Sequence, residues 1–331
     1  MSTLASLIEG LHASRGVAHK QDIADVVATL GIADPQAAIA VGDDCAAIRD
    51  GDGWLLLAIE GFLNEFVAAE PYFAGWCGVM VNLSDIYAMG GRPIAVVDAL
   101  WSAGAARGRT VLEGLADAGR IYGVPVVGGH SNAHCDREQL SVAVLGRARA
   151  LLTSFDAQPG DVLLAAVDLR GGYRAHFSNW DASSAAPAPR LRGDLELLPQ
   201  LAEAGLCRAA KDISQAGVLG TLLMLLECSG VGAVVDVGAV PMPDGVERAR
   251  WLLQTFPSYG FLLSVRAADV AAVQARFAAR GIACAAIGRV DASPRLTLRD
   301  ASEERTAWDF SAQTLLGCGP SAATPYRSLH A

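Results

Sequence analysis

Asn82-Leu83-Ser84-Asp85-Ile86-Tyr87-Ala88-Met89-Gly90-Gly91-Arg92-Pro93 is the stretch on which the reading of the fold turns. Residues 70–90 carry Ala, Trp, Val, Met, Leu and Ile at helical spacing, and Gly90-Gly91 followed by Pro93 stops the helix. Asn82 and Asp85 lie three apart on this otherwise apolar helix and so share one face. Polar groups inside an apolar stripe need partners. The two are either a helix-packing hydrogen-bond pair or a contact to metal or phosphate.

Three further stations lie on either side of it. Gly42-Asp43-Asp44-Cys45 places two adjacent carboxylates before an apolar run. Such carboxylates repel unless a cation or proton compensates, so the pair is either a solvated turn or a magnesium ligand pair. Glu60 directly follows the apolar run 54–59, where it is a strand-end ligand or an ordinary exposed glutamate. Gly128-Gly129-His130-Ser131 follows a predicted strand at 124–127. Two glycines there let the backbone turn sharply or approach a ligand closely. His130 is a structural hydrogen-bonder, a proton donor, a phosphate contact or a metal ligand. Asp212-Ile213-Ser214-Gln215-Ala216-Gly217 opens a predicted helix at 217–228. Asp212 and Ser214 are good N-cap types, and the helix start also offers N–H groups to phosphate. Hard metal ions and phosphates take oxygen ligands and free N–H groups. Four stations in fixed order therefore suggest a nucleotide–magnesium site assembled from distant parts of the chain.

Composition narrows the classes. The 331 residues are 52% hydrophobic and 18% charged, enough for a substantial core in one large or two ordinary domains. The net charge of −9 and the lack of a Lys/Arg-rich run exclude a basic nucleic-acid footprint. The seven cysteines are scattered without a Cys-x-x-Cys pair, which argues for reduced thiols in a cytoplasmic protein. Apolar stretches are too short or too interrupted by glycine to span a bilayer, and the start lacks a secretory pattern.

Strands are predicted at 54–59, 94–100, 124–127, 140–147, 162–167, 233–237, 261–265, 283–287 and 295–298. Helices are predicted at 3–14, 20–31, 70–90, 107–122, 195–204, 217–228 and 267–280. Residues 157–161 form a turn, which places a domain boundary near 150–158 and gives domains at 1–155 and 156–331. The Gly/Ala/Ser/Pro/Arg-rich segment 171–193 reads as a loop or insertion. The class is α+β.

The stations resemble those of the AIR-synthase-like superfamily of ATP-dependent enzymes, and among them most closely the thiamine-monophosphate kinases. Gly42 to Ala46 is similar to the metal-binding GDD segment, and Asn82 to Pro93 to the NLSD helix. Val126 to Gly129 is similar to the start of the GGDT segment, and Asp212 to Ser214 to the start of DISDG. The resemblance implies an N-terminal domain whose sheet pairs with its copy to form a dimeric β-barrel, and a C-terminal α/β sandwich. It implies ATP and magnesium in the groove between domains, with Asp44, Asp85 and Asp212 as metal ligands. Asp43 is their neighbour, and Glu60 falls near a strand-end Asp of the family. Gly42, Asn82, Gly128, Gly129 and Ser214 are implied near the phosphates.

Two departures change the charge. His130 stands where the family has Asp after Gly-Gly, and Gln215 stands for the last Asp of DISDG. His130 becomes the candidate catalytic residue, and Gln215 a nucleotide contact. The resemblance implies an ATP- and magnesium-dependent phosphotransferase acting on a small molecule other than thiamine monophosphate. Two alternatives stand beside it: an ATP-dependent amidine- or ring-forming ligase of the purine-pathway type, and a catalytically weak nucleotide-binding or regulatory subunit.

Overall fold

The computed structural model describes residues 3–32, 39–174 and 177–319. In chain order the elements begin with α1 (Leu4–His12), α2 (Arg15–Gln21), α3 (Ile23–Leu30), β1 (Ala46–Asp50) and β2 (Gly53–Gly61). There follow α4 (Asn64–Ala69), α5 (Pro71–Ala88), β3 (Arg92–Ala103), α6 (Ala105–Tyr122), β4 (Val126–Asn132) and β5 (His134–Ala148). Next come β6 (Val162–Val167), β7 (Gly172–Tyr173), β8 (Asn179–Asp181), α7 (Ala188–Leu195), α8 (Leu197–Glu203) and β9 (Ala209–Asp212). The chain continues through α9 (Gly217–Ser229), β10 (Gly232–Asp236), α10 (Arg248–Leu253), β11 (Phe256–Pro257) and β12 (Gly260–Val265). It closes with α11 (Val270–Ala278), β13 (Ala283–Asp291), β14 (Arg295–Asp300) and β15 (Glu303–Asp309).

These elements fall into two compact units. One comprises Cys45–Leu151 with Ser183–Gln200, the other Met1–Asp44, Leu152–Ala182 and Leu201–Ala331. The N-terminal helices thus group with the C-terminal part of the chain. The reason is local: Leu4, Leu7 and Leu11 form one buried stripe on α1, and that stripe is covered by α10, β14 and β15. His12 adds a stacked contact to Trp308, with ring centroids 4.9 Å apart.

The first unit holds a five-stranded sheet in the order β1-β2-β5-β3-β4, in which only β3 and β4 run parallel. Among the described residues the sheet is open, with β1 and β4 as its edges, so they do not close the barrel implied by the family resemblance within one chain. The helix that opened the sequence reading is α5. It begins at Pro71, which fits the first turn because its missing N–H is not needed there. It is buried nearly all round, from Phe73 to Ala88, as expected of a helix apolar on every side. It crosses α6 at glycines. A Cβ on Gly75 would stand 1.9 Å from the Val111 carbonyl oxygen, and one on Gly114 1.9 Å from that of Tyr72. The two backbones therefore touch where no side chain fits.

The second unit is built on a seven-stranded mixed sheet, β15-β14-β10-β13-β6-β12-β9, with β10 and β14 parallel. Its central strands β6 and β12 are buried along their whole length. A small sheet, β11-β8-β7, belongs to the same unit.

Several expectations are corrected. The segment 171–193 is not a plain loop: it carries β7, β8 and the start of α7, with Ala175 and His176 outside the described residues. The helix expected at 20–31 is broken at Asp22 into the end of α2 and α3. Strands β9 and β15 and helix α10 went unpredicted because they are short or carry charged residues. Among the described residues no helix is long and apolar enough to cross a membrane.

Candidate functional site

Each unit gathers its own set of predicted residues. In the seven-stranded unit, the loop Gly42-Asp43-Asp44 meets the end of β9 and the turn at Ser154. Asp43 accepts from the Ser154 backbone N–H at 2.8 Å and from its hydroxyl at 2.7 Å. The Asp44 N–H also donates to Asp43 Oδ1, at 3.0 Å. Asp44 is ion-paired with Lys211 Nζ, and both side chains are only 5% exposed. Its second oxygen accepts from the Asp212 N–H at 3.4 Å. Lys211 Nζ further donates to Ser154 Oγ at 3.3 Å. Asp43 and Asp44 are thus gathered at one buried ammonium, with the Asp212 backbone held against Asp44.

The electrostatics follow from burial. Burial pushes the Asp43 carboxyl up to about 6; Lys211 opposes the rise, Asp44 adds to it, and the Ser154 hydrogen bonds oppose it. For Lys211, burial works against the charge, yet Asp44 and Asp43 outweigh it and hold the proton well above the usual lysine value. The lysine was not singled out from the sequence. The available signal was rarity: the chain has two lysines, Lys20 and Lys211.

Asp212 and Ser214 do not cap α9, contrary to their N-cap character. Asp212 ends β9, and the N-cap position is Ala216, without a side-chain cap. The Ser214 N–H donates to Thr221 Oγ1 at 3.3 Å, while its hydroxyl oxygen is buried without a hydrogen-bond partner among the described residues. Gln215 is exposed.

In the five-stranded unit, Asn82 is fully buried. Its amide donates to the Gly78 carbonyl at 2.8 Å, and its Oδ1 has no hydrogen-bond partner among the described residues. Asp85, one turn on, is 5% exposed. Glu60 lies on β2 in register with Val142 on β5, Asp98 on β3 and Gly129 on β4. Paired residues share a sheet face. This row faces the helices, since a Cβ on Gly78 of α5 would stand 2.8 Å from Val142 Cγ2. Asp98 is a second residue missed from sequence. Its carboxylate fills the space over Gly129, where a Cβ would stand 2.3 Å from Asp98 Oδ1. Its Oδ2 is buried without a hydrogen-bond partner among the described residues, and burial raises its carboxyl above the usual range.

Gly128 and His130 sit in the neighbouring rows, opposite Val97 and Ala99. They therefore belong to the outer face, and the His130 ring lies against Trp101 with centroids 5.8 Å apart. The structure does not bring His130 to the face that carries Glu60 and Asp98.

The donor chemistry suits a hard cation and a phosphate chain. Aspartate oxygens, an amide oxygen and a hydroxyl are the ligands magnesium takes. Buried polar atoms normally have partners, so the orphaned Asn82 Oδ1, Ser214 Oγ and Asp98 Oδ2 fit positions that a ligand would satisfy.

Two α+β units, each with its own acidic station, define the class. The chain belongs to the AIR synthase related family: residues 42–148 match its N-terminal domain and residues 158–301 its C-terminal domain. It is 47% identical over 317 residues to the uncharacterized protein sll0787 of Synechocystis sp., covering 95% of this chain and 98% of that one. Two solved structures share the fold. Thermotoga maritima PurL complexed with ATP gives a TM-score of 0.68 at 23% identity, over 83% of this chain and 46% of PurL. AaThiL complexed with AMPPCP and TMP gives 0.63 at 18%, over 86% and 96%. The chain thus spans about half the length of that PurL.

Proposed function

We propose that this protein is an ATP- and magnesium-dependent phosphotransferase acting on a small-molecule acceptor. The observation that carries the reading is the buried cluster of Asp43, Asp44, Asp212, Lys211 and Ser154, an oxygen-rich station in a chain whose structural neighbours carry ATP or AMPPCP. Asp44, Asp212 and Asp85 are the proposed magnesium ligands, with Asp43 beside them and Glu60 as a further carboxylate. Bound magnesium supplies neutralising charge to phosphate oxygens. The chain's own part is positional. Asn82 Oδ1 and Ser214 Oγ offer fixed polar atoms, Gly42, Gly128 and Gly129 leave backbone exposed to phosphates, and Gln215 offers a neutral contact. His130, on the outer sheet face against Trp101, is the proposed catalytic residue, as a base that takes the acceptor's proton.

A purine-type ligase reading is supported by the likeness to PurL. Identification of the product formed alongside ADP with phosphate, carboxylate and amide acceptors separates the two, since a kinase product carries the phosphoryl group and a ligase product a new C–N bond with release of free phosphate. If ATP binds with magnesium and no acceptor yields ADP, the nucleotide-binding module reading replaces both. Asp85→Asn and Asp212→Asn are each expected to weaken magnesium-dependent ATP binding by at least about tenfold, the equivalent of one lost charged contact. Unchanged binding in both variants refutes the site.

A homodimer through the open sheet is part of the same reading. The outer face exposes Ile48, Leu57, Ile59 and Val97, with Ile59 69% exposed. An apolar face of this kind suits a second copy. Ile59→Lys should shift the mass in solution toward monomer; if the unaltered protein is itself monomeric, the dimer reading is wrong.

A further inference from the structure

Two adjacent carboxylates out of water need a cation, because their mutual repulsion and lost hydration are otherwise uncompensated. In this chain the cation is covalently attached. Lys211 lies on β9 in register with Leu262 of the fully buried strand β12. Its ammonium is paired with Asp44 and reaches Asp43 through Ser154, whose hydroxyl accepts from Lys211 Nζ and donates to Asp43 Oδ1. A buried lysine, here on the edge strand of the sheet, is costly unless paired. One of only two lysines in 331 residues is therefore buried against the acidic pair.

We propose that Lys211 is a tethered counter-cation that takes the place of one divalent ion at the Asp43–Asp44 pair. The magnesium of the proposed site then arrives with the nucleotide. The inference deepens the magnesium–nucleotide reading and rests on it, but it concerns the pair alone.

The test is manganese binding to the full chain without nucleotide, followed by electron paramagnetic resonance and calorimetry. In Lys211→Met the pair should take up one more manganese ion than in the unaltered protein. Affinity at the pair should rise at least about tenfold, because a point charge held next to two carboxylates has been removed. Lys211→Met should also melt at lower temperature in chelator and regain its stability in manganese. Asp43→Asn/Lys211→Met removes one charge of each sign and should return to the unaltered stoichiometry. A Lys211→Met protein that gains no ion overturns the proposal. So does one that stays unfolded in manganese while the double variant folds. A merely structural lysine would lower stability without changing the ion count. If the unaltered protein fails to bind ATP but Lys211→Met gains its ion, the function reading falls and the counter-cation stands.

Discussion

Glu227 near the end of α9 offers a quantitative test of how the acidic loop is held in place. Its carboxylate Oε2 accepts from the backbone N–H groups of Leu315 and Leu316 at 2.8 Å each, and Oε1 from that of Gly317 at 2.9 Å. The next residue, Cys318, lies under Gly42: a Cβ on Gly42 would stand 2.8 Å from Cys318 Cβ. The segment tied down by Glu227 therefore supports the loop that presents Asp43 and Asp44. A backbone hydrogen bond to a charged acceptor contributes about 1.5–3 kcal/mol. Three give roughly 5–9 kcal/mol gross, from which the desolvation of a buried carboxylate subtracts several. Burial is also why its carboxyl sits above the usual glutamate range, with the three N–H groups opposing the rise. Glu227→Ala should thus cost about 3–5 kcal/mol. Glu227→Gln keeps one oxygen and turns an NH2 toward a donor, for about 2 kcal/mol. Urea unfolding measures both, and hydrogen exchange at Leu315–Gly317 and Gly42–Asp44 should accelerate in parallel. A cost under about 1 kcal/mol for Glu227→Ala, or unchanged exchange at Gly42–Asp44, refutes the argument.

Gly114→Ala should destabilise by about 2–3 kcal/mol in urea, although alanine is the better helix former, because its Cβ meets the Tyr72 carbonyl at 1.9 Å; a stabilised variant would mean that α5 and α6 do not cross there. Asp43 gives a pH signature in chelator. Its folded value of about 6 lies above the ordinary 3.8, so the folded state binds the extra proton and this group's contribution is complete below pH 3.8. That contribution is lost as pH rises through about 6. The urea midpoint of the unaltered protein should therefore fall across that window relative to Asp43→Asn, and parallel profiles would contradict the assignment.

Much of the fold was legible because it rests on local patterns. The apolar period of residues 70–88, with Pro71 ahead and Gly90-Gly91 behind, specifies α5 without reference to anything distant. The uninterrupted apolar run at 162–167 specifies a buried central strand in the same way. β9 was not legible, since its four residues Ala-Ala-Lys-Asp carry neither period nor β-branched side chains. What tells a reader that this segment is a strand is its pairing with β12, about fifty residues on.

The candidate residues divide along the same line. By itself the sequence determined the family, the oxygen-donor character of Asp43, Asp44, Asp85 and Asp212, and the absence of a carboxylate at His130 and Gln215. Only the tertiary structure decided which partner each group meets. Lys211 reads as an ordinary strand residue until a contact spanning 167 positions sets it against Asp44. His130 reads as a partner of the acidic stations until the pairing of β3 with β4 is counted. Val96 pairs with Val126 and Val97 with Gly128, so Val127 is an extra residue. One inserted residue in a ladder exchanges the faces of everything after it. That single bulge puts Gly129 over Asp98 and turns His130 outward to Trp101. Composition and spacing fix which chemical groups a chain carries; the parity of a sheet and the closure of distant ion pairs are set by register, which no local stretch encodes.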